Sequence, residues 1–125
     1  MARILVIEDE APIRANLLRF LRLEGHELFE AENGQEGLAM ARSLRPDLIL
    51  CDMMMPVLDG VGVLDALRAD PSIAKTPFIF LTAGASREQV ERGLQHGASA
   101  YVTKPFILGD VRGLIARHLA AKGLP

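Results

Sequence analysis

Five short apolar runs, each followed by a stretch with helical spacing, limit how this 125-residue chain can fold. The runs cover residues 4–7, 27–31, 48–52, 78–81 and 100–103. In the stretches between them apolar residues recur every three or four positions, the period of an amphipathic helix. These connections are too long for hairpins, so consecutive strands are predicted to be parallel and joined by right-handed helical crossovers. We therefore predict an α/β fold, a doubly wound five-stranded parallel sheet with helices on both faces.

Local signals indicate where the helices begin and end. The first helix is expected to start near Pro12 and to stop at Gly25. In the fourth helix, Val90 and Leu94 are expected to face the core. The other expected caps and stops are Asn33 with Glu36, Asp59, Ser86 with Gln89, Gly97, and Gly123 with Pro125.

The apolarity of the strands predicts their order in the sheet. The first, third and fourth runs are almost wholly apolar and should be central, whereas the charged second run and the short fifth run should lie at the edges. The order 2-1-3-4-5 satisfies these preferences. Crossover direction then reverses between the first and third strands, and ligands of such sheets bind at that point, beyond the carboxyl ends of the strands.

Polar side chains follow four of the predicted strands at that edge: Glu8 and Asp9, then Asp52, Thr82 and Lys104. Each has an ordinary alternative explanation. The acids suit the start of a helix, Asp52 can cap a turn, the threonine can be a simple strand-end hydroxyl, and the lysine can extend into water. Together, however, they predict a functional site at the switch point.

Several carboxylates at one edge repel each other unless a cation joins them, and oxygen ligands of this kind suit Mg²⁺. With its charge balanced in this way, Asp52 could attack phosphorus and form an aspartyl phosphate. Lys104 and Thr82 would then stabilise the phosphoryl oxygens. The chemistry needs no histidine, and the three histidines are expected at the surface or at helix ends: His26, His96 and His118.

Composition limits the remaining possibilities. The length predicts one domain, residues 1–125, and the net charge of −2 without a basic stripe argues against direct binding to nucleic acid or an anionic membrane. Cys51 lies within an apolar run, where a buried structural thiol is expected. The absence of a signal peptide or apolar span predicts a cytoplasmic protein, and Met1 favours a natural start.

Several short motifs occur together and in a fixed order along the whole chain. In this set the chain resembles the CheY-like receiver domain of response regulators, the phosphoacceptor module of two-component signalling. The motifs are the acidic pair Glu8-Asp9, the turn Asp52-x-x-Met55-Pro56-x-x-Asp59-Gly60, the strand end Leu81-Thr82-Ala83, Gly97-Ala98, Tyr101, and Lys104-Pro105-Phe106.

The resemblance implies that a histidine kinase or phosphotransfer protein phosphorylates Asp52 in a Mg²⁺-dependent reaction, in which Mn²⁺ could replace Mg²⁺. It implies metal ligands at Asp9, Asp52 and the backbone carbonyl of Met54, with Glu8 acting through a metal-bound water. Such a module is not an enzyme, since it catalyses only its own phosphorylation and dephosphorylation.

The resemblance also implies how the signal leaves the site. Thr82 and Lys104 would contact the phosphoryl group, Tyr101 would change rotamer as the switch, and the Lys104–Pro105 peptide bond would be cis. The fourth helix, fifth strand and fifth helix would then present an altered surface to an effector or to a second copy of the chain.

Departures from the family pattern lead to two further expectations. Glu8 replaces the usual first aspartate. Met54 is apolar, and Gly84 carries no side chain to guide a hydrolytic water, so we expect a long-lived phosphoryl group. Ile107 stands where a polar helix cap is usual, and Gly109 and Gly113 lie in the first turns of the last helix. We therefore expect this helix to be mobile at its start.

Other functions fit the sequence less well. A haloacid dehalogenase-type phosphatase needs a second aspartate where Met54 stands, and the acids at 8–10 would repel the phosphate of a flavin. A protein-interaction module that works without phosphorylation, or a receiver fragment of a longer regulator or hybrid kinase, remains as an alternative.

Overall fold

A computed structural model of the chain describes residues 2–83, 86–121 and 123. The expectations for Met1, Gly84 and Pro125 concern positions outside this range. Strands and helices alternate throughout the described chain, as the sequence predicts. Their bounds are β1 Arg3–Ile7, α1 Ala11–Leu23, β2 Glu27–Ala31, α2 Gly34–Leu44, β3 Leu48–Asp52, α3 Gly60–Ala69, β4 Phe78–Thr82, α4 Arg87–Gln95, β5 Ala100–Thr103 and α5 Leu108–Ala121.

The five strands form one parallel sheet in the order β2-β1-β3-β4-β5, which confirms the predicted topology. Every residue of β3 and β4 is buried, as expected for central strands. Ile7 pairs with Cys51, and Asp52 pairs with Leu81. This register aligns the carboxyl ends of β1, β3 and β4, so the residues that follow them share one edge.

Each face of the sheet carries its own apolar layer. On one face, alternate residues such as Val6 and Leu50 pack against α1 and α5. The opposite face, with Leu5 and Ile49, packs against α2 and α3. Within the described residues, no helix has the length and apolarity needed to cross a bilayer.

The predicted helix caps are present. Asp59 accepts a hydrogen bond from the Gly62 N–H at 2.8 Å, and Asn33 caps α2 in the same way. Ser86 and Gln89 form a reciprocal capping box at the start of α4. Gly25 and Gly97 both adopt positive φ just after a helix ends, the backbone geometry for which glycine is favoured.

Of the two residues of α4 predicted to face the core, Val90 is half-buried, but the prediction for Leu94 was wrong. Leu94 is 40% exposed, and the buried residue of α4 is Gly93. A Cβ at Gly93 would lie 2.7 Å from Phe80 Cε2, and one at Gly60 would lie 2.8 Å from Phe80 Cε1. The Phe80 ring therefore lies between the start of α3 and the last turn of α4, and α4 approaches the sheet through its backbone.

Candidate functional site

Four acidic side chains meet at the carboxyl edge of the sheet. Glu8, Asp9 and Glu10 follow β1, Asp52 ends β3, and their carboxylate oxygens lie within 4.8 Å of one another. Glu8 and Asp52 are buried, whereas Asp9 and Glu10 face solvent. The structure thus brings together the three acids selected from the sequence and adds Glu10, which sequence reasoning did not assign to the site.

Lys104 joins this cluster from the end of β5. Its Nζ lies 2.6 Å from Glu8 Oε1, 3.3 Å from Asp52 Oδ2 and 3.8 Å from Glu10 Oε1, and its side chain is 8% exposed. Burial lowers the pKa of Lys104, but Glu8 and Asp52 more than offset this, so the net pKa is raised. The lysine is therefore a fixed positive charge, and the Lys104–Pro105 bond that follows it is cis.

Asp52 is held by contacts to both carboxylate oxygens. Oδ2 faces Lys104, and Oδ1 accepts a hydrogen bond from the Met54 N–H at 3.2 Å. Burial, followed by the hydrogen bond and charge of Glu8, raises the pKa of Asp52 to about 7, against the opposing effects of Met54 and Lys104. A buried carboxyl group that ionises near neutral pH is typical of a functional position.

Thr82 ends β4 beside Asp52 and is 3% exposed. No group in the described part of the chain hydrogen-bonds to its Oγ1, although this atom is buried. Leaving a buried hydroxyl unpaired is unfavourable, on the order of 1–3 kcal/mol. The hydroxyl is therefore free to donate to an additional oxygen at the site, as a phosphoryl group would provide.

The donor set fits a hard divalent cation. The four acids offer only oxygen atoms, two of them are buried, and Lys104 contributes one positive charge to the group. Mg²⁺ prefers carboxylate and carbonyl oxygens and neutralises the repulsion between them. The metal prediction therefore agrees with the chemistry of the residues that the fold brings together.

The turn after Asp52 depends on Gly60. The Gly60 N–H donates to the Met53 carbonyl at 3.1 Å, and a Cβ at position 60 would collide with the Asp52 carbonyl and the Met53 backbone. Within the turn, Val57 has φ = 73°, which is unfavourable for a β-branched residue. The loop geometry that presents Asp52 is thus supported by a close backbone contact to α3.

Two grooves adjoin the site. One, of about 510 Å³, lies between α4 and β5 and extends from Thr82 to Tyr101, whose side chain is 44% exposed. The other, of about 770 Å³, lies between α1 and the segment after β5 and has Lys104 at its edge. Its remaining lining is largely apolar and includes Pro12, Ile13, Ala15, Pro105 and Phe106.

The three histidines lie outside the acidic edge, whereas Cys51 is next to Asp52 in β3. His96 contacts Asp65 at 2.6 Å on the surface, and His118 contacts a carbonyl of its own helix. His26 precedes β2, away from the acidic edge. Cys51 is buried as expected, and burial, with the charges of neighbouring carboxylates, raises the pKa of its thiol well above the ordinary value.

Sequence reasoning missed Arg14, which contacts the backbone next to the acidic pair. Its Nη1 donates to the Glu8 carbonyl at 2.7 Å, and its Nε donates to Glu30 at 2.9 Å. The available signal was its place in the first turn of the helix that follows the acids. That position alone does not show that the side chain reaches the Glu8 carbonyl.

Comparisons with known proteins agree with this geometry. Residues 4–116 match the family model of the response regulator receiver domain. The chain is 40% identical over 121 residues to the transcriptional regulatory protein PrrA of Mycobacterium tuberculosis, covering 97% of this chain and 51% of PrrA. It is also 40% identical to the phosphate regulon transcriptional regulatory protein PhoB of Pseudomonas aeruginosa, covering 91% of this chain and 48% of PhoB. The chain thus spans about half the length of these relatives.

Solved structures show the same likeness. The chemotaxis protein CheY4 of Vibrio cholerae superimposes with a TM-score of 0.89 at 33% identity, covering 95% of this chain and 99% of CheY4. A response regulator receiver domain protein from Clostridium thermocellum gives a TM-score of 0.92 at 28% identity, with 98% of both chains covered. With the family model, the relatives and the fold in agreement, this chain belongs to the family of response regulator receiver domains.

Proposed function

We propose that Asp52 accepts a phosphoryl group from a histidine kinase or phosphotransfer protein in a Mg²⁺-dependent reaction. The observation that carries this proposal is the position of Asp52, with Oδ2 3.3 Å from Lys104 Nζ and its carboxylate within 4.8 Å of three other acids. The nucleophile thus lies between a fixed positive charge and a set of oxygen ligands. This arrangement is what phosphoryl transfer to a carboxylate requires.

In the transfer, an Asp52 carboxylate oxygen forms a bond to phosphorus as the bond between phosphorus and the donor nitrogen breaks. The departing imidazole nitrogen keeps the electron pair of that bond. Lys104 pairs with one phosphoryl oxygen, and the free hydroxyl of Thr82 donates to another. Positioned charge and hydrogen bonds stabilise the transition state, and no side chain of the receiver acts as a general base.

The metal role is assigned to the residues that the family resemblance indicates. Asp9, Asp52 and the Met54 carbonyl would hold Mg²⁺, with Mn²⁺ as a substitute, and Glu8 would act through a metal-bound water. The bound cation would supply charge neutralisation for the carboxylates and phosphoryl oxygens. The buried and solvent-facing acids of the cluster provide donors of the required type.

Output is proposed to pass from Thr82 to Tyr101 along the groove that both residues line. Thr82 moving toward the phosphoryl group would vacate space that the half-exposed Tyr101 ring can fill. Tyr101 is the one tyrosine of a chain without tryptophan, so its fluorescence reports this change directly. Saturation with a phosphoryl mimic and Mg²⁺ is expected to alter that fluorescence, and an unaltered signal would contradict the switch.

The partners follow from these surfaces. The apolar groove beside Lys104 is proposed to receive the kinase or phosphotransfer protein, and the surface of α4, β5 and α5 to contact an effector or a second copy of the chain. The relatives are transcriptional regulators by name. For residues 1–125, taken as one receiver domain, we retain the prediction of no direct contact with nucleic acid or membrane.

Receiver domains are signalling modules rather than enzymes, and the catalysis proposed here is limited to the phosphorylation and dephosphorylation of the chain itself. A cytoplasmic location also remains a prediction.

The deciding experiment is incubation with acetyl phosphate, with and without Mg²⁺, followed by intact mass and peptide mapping. We expect one phosphoryl group on Asp52, formed only with the metal. Asp52→Asn should abolish labelling. Asp59→Asn is the matched control, because asparagine can keep the cap of α3 and Asp59 lies outside the acidic cluster. A folded chain that stays unlabelled would instead favour a protein-interaction module.

A further inference from the structure

We infer that Arg14 is a positioning residue of the acidic site. Its side chain holds the backbone of Glu8, so that Glu8 and Asp9 are oriented for a divalent cation. This inference rests on the proposed function and assigns a role to a residue outside the acidic cluster. Its basis is the juxtaposition of one side chain with the Glu8 carbonyl on one side and with the Glu30 carboxylate on the other.

The guanidinium of Arg14 makes two hydrogen bonds at once, one to each neighbouring strand segment. Its side chain, 15% exposed, extends from the first turns of α1. Nη1 donates to the Glu8 carbonyl at 2.7 Å, and Nε donates to Glu30 Oε1 on the edge strand β2 at 2.9 Å. A planar guanidinium can make both contacts at once, which the single ammonium of a lysine does less well.

Other contacts constrain the rest of Glu8. The Glu8 N–H donates to the Ala31 carbonyl at 3.1 Å, and Oε2 accepts from the Glu10 N–H at 3.1 Å. Oε1 lies 2.6 Å from Lys104 Nζ. With Arg14 on the carbonyl, each polar group of Glu8 has a contact: hydrogen bonds at N–H, carbonyl and Oε2, and the ion pair with Lys104 at Oε1. Because the peptide unit is planar, fixing that carbonyl also fixes the direction from which Asp9 leaves the strand.

Charge and positioning make opposite predictions for this residue. A positive charge beside a cation site repels the cation, so an arginine that acted only through its charge would weaken metal binding. An arginine that orients the acids would strengthen it. The pairing with Glu30 reduces the repulsive effect, because it places a negative charge beside the guanidinium.

The chain supplies a matched control in Arg3, which makes the same pair of contacts at the opposite end of the sheet. Its Nε donates to Glu27 at 3.2 Å, and its Nη1 donates to the Leu44 carbonyl at 2.6 Å. Arg3→Met therefore removes one ion pair, one carbonyl contact and the packing of the guanidinium over the Phe29 ring, without touching the acidic edge.

The test is Mg²⁺ affinity, measured by titration calorimetry and checked with Mn²⁺ by electron paramagnetic resonance. Loss of a group that orients metal ligands through a second contact weakens binding, so Arg14→Met is expected to raise the Mg²⁺ Kd by about tenfold. Arg14→Lys should give an intermediate value. Arg3→Met should leave the Kd unchanged while changing thermal stability to a similar extent, which separates positioning from a general structural effect.

An unchanged or lower Kd in Arg14→Met would overturn the inference, since it would mean that the side chain acts only structurally or through its charge. Should Arg14→Met fail to fold, Arg14→Lys decides, and a wild-type Kd in that variant would overturn it equally. A wild-type chain that bound no Mg²⁺ and took no label from acetyl phosphate would contradict the proposed function itself. Normal labelling of the wild type, together with an unaltered Mg²⁺ Kd in Arg14→Met, would contradict only the role of Arg14.

Discussion

Lys104 lies closer to Glu8 than to Asp52, with Nζ distances of 2.6 Å and 3.3 Å. The glutamate that replaces the usual first aspartate has one more methylene, and its buried carboxylate makes the shorter of the two contacts. Two buried carboxylates therefore share one ammonium group. This sharing leaves Asp52 incompletely neutralised and accounts for part of the rise of its pKa to about 7.

Glu8→Gln is expected to lower the pKa of Asp52 toward its ordinary range. Burial would still raise that pKa, but the charge of Glu8 would be gone and Lys104 could turn wholly to Asp52. A carboxyl-carbon NMR titration of Asp52 in metal-free protein measures the change. Glu27→Gln removes an acid from the opposite end of β2, where it pairs with Arg3, and should leave the Asp52 titration unchanged. An Asp52 pKa that stayed near 7 in Glu8→Gln would show that burial alone sets it.

Asp52→Asn is expected to stabilise the metal-free chain at alkaline pH. Folding raises the pKa of Asp52 from 3.8 to about 7, so the folded state binds this proton more tightly than the unfolded state. The resulting stability is fully present below the unfolded pKa and is lost as the pH rises through the folded pKa. Asparagine cannot ionise, so the variant should gain up to about 4 kcal/mol over the wild type at about pH 8 and little at about pH 4.

Denaturant unfolding at the two pH values gives this difference. Added Mg²⁺ should raise wild-type stability more than that of Asp52→Asn, because the variant lacks one carboxylate of the cluster. A gain of equal size at both pH values would contradict the explanation by ionisation.

Met54→Asn is expected to shorten the lifetime of the phosphoryl group. The methionine side chain is 56% exposed, and its own N–H donates to Asp52 Oδ1, so it lies next to the carboxylate proposed to carry the phosphoryl group. An amide there could orient that water, speeding dephosphorylation by about two- to tenfold, the rate equivalent of one hydrogen bond. Loss of label from phosphorylated protein measures the rate. Met54→Leu stays apolar and should match the wild type, and equal lifetimes for all three proteins would contradict the idea.

Gly109→Ala and Gly113→Ala should each stabilise the chain by about 0.5–1 kcal/mol, the usual helix preference for alanine. A Cβ at either position would meet no atom within 4 Å, so nothing opposes the gain. Gly34→Ala is the contrasting substitution, because its Cβ would collide with the Leu58 carbonyl. Thermal unfolding of the three variants should show two rises and one fall, and a loss of stability in the α5 variants would contradict the open space around that helix.

The sequence was sufficient for the topology because strand apolarity and helix caps are local properties. Asp59 and Ser86 cap α3 and α4 as expected, and the charged β2 lies at the edge. The prediction from sequence failed for the packing of α4. A periodicity argument counts apolar side chains, whereas this helix packs against the core through Gly93, which has no side chain. The sequence also could not show that Lys104 lies closer to Glu8 than to Asp52, because the two distances from Nζ differ by less than 1 Å.

The Phe80 ring limits how the surface of this chain can be redesigned. The ring occupies the space beside both Gly60 and Gly93, so it sets the spacing between α3 and α4. The outward faces of these helices can be rewritten, for example to graft a new effector surface onto α4. The ring and its two glycines must be transferred together, because a side chain added at either glycine would displace the ring that separates the turn after Asp52 from the grafted helix.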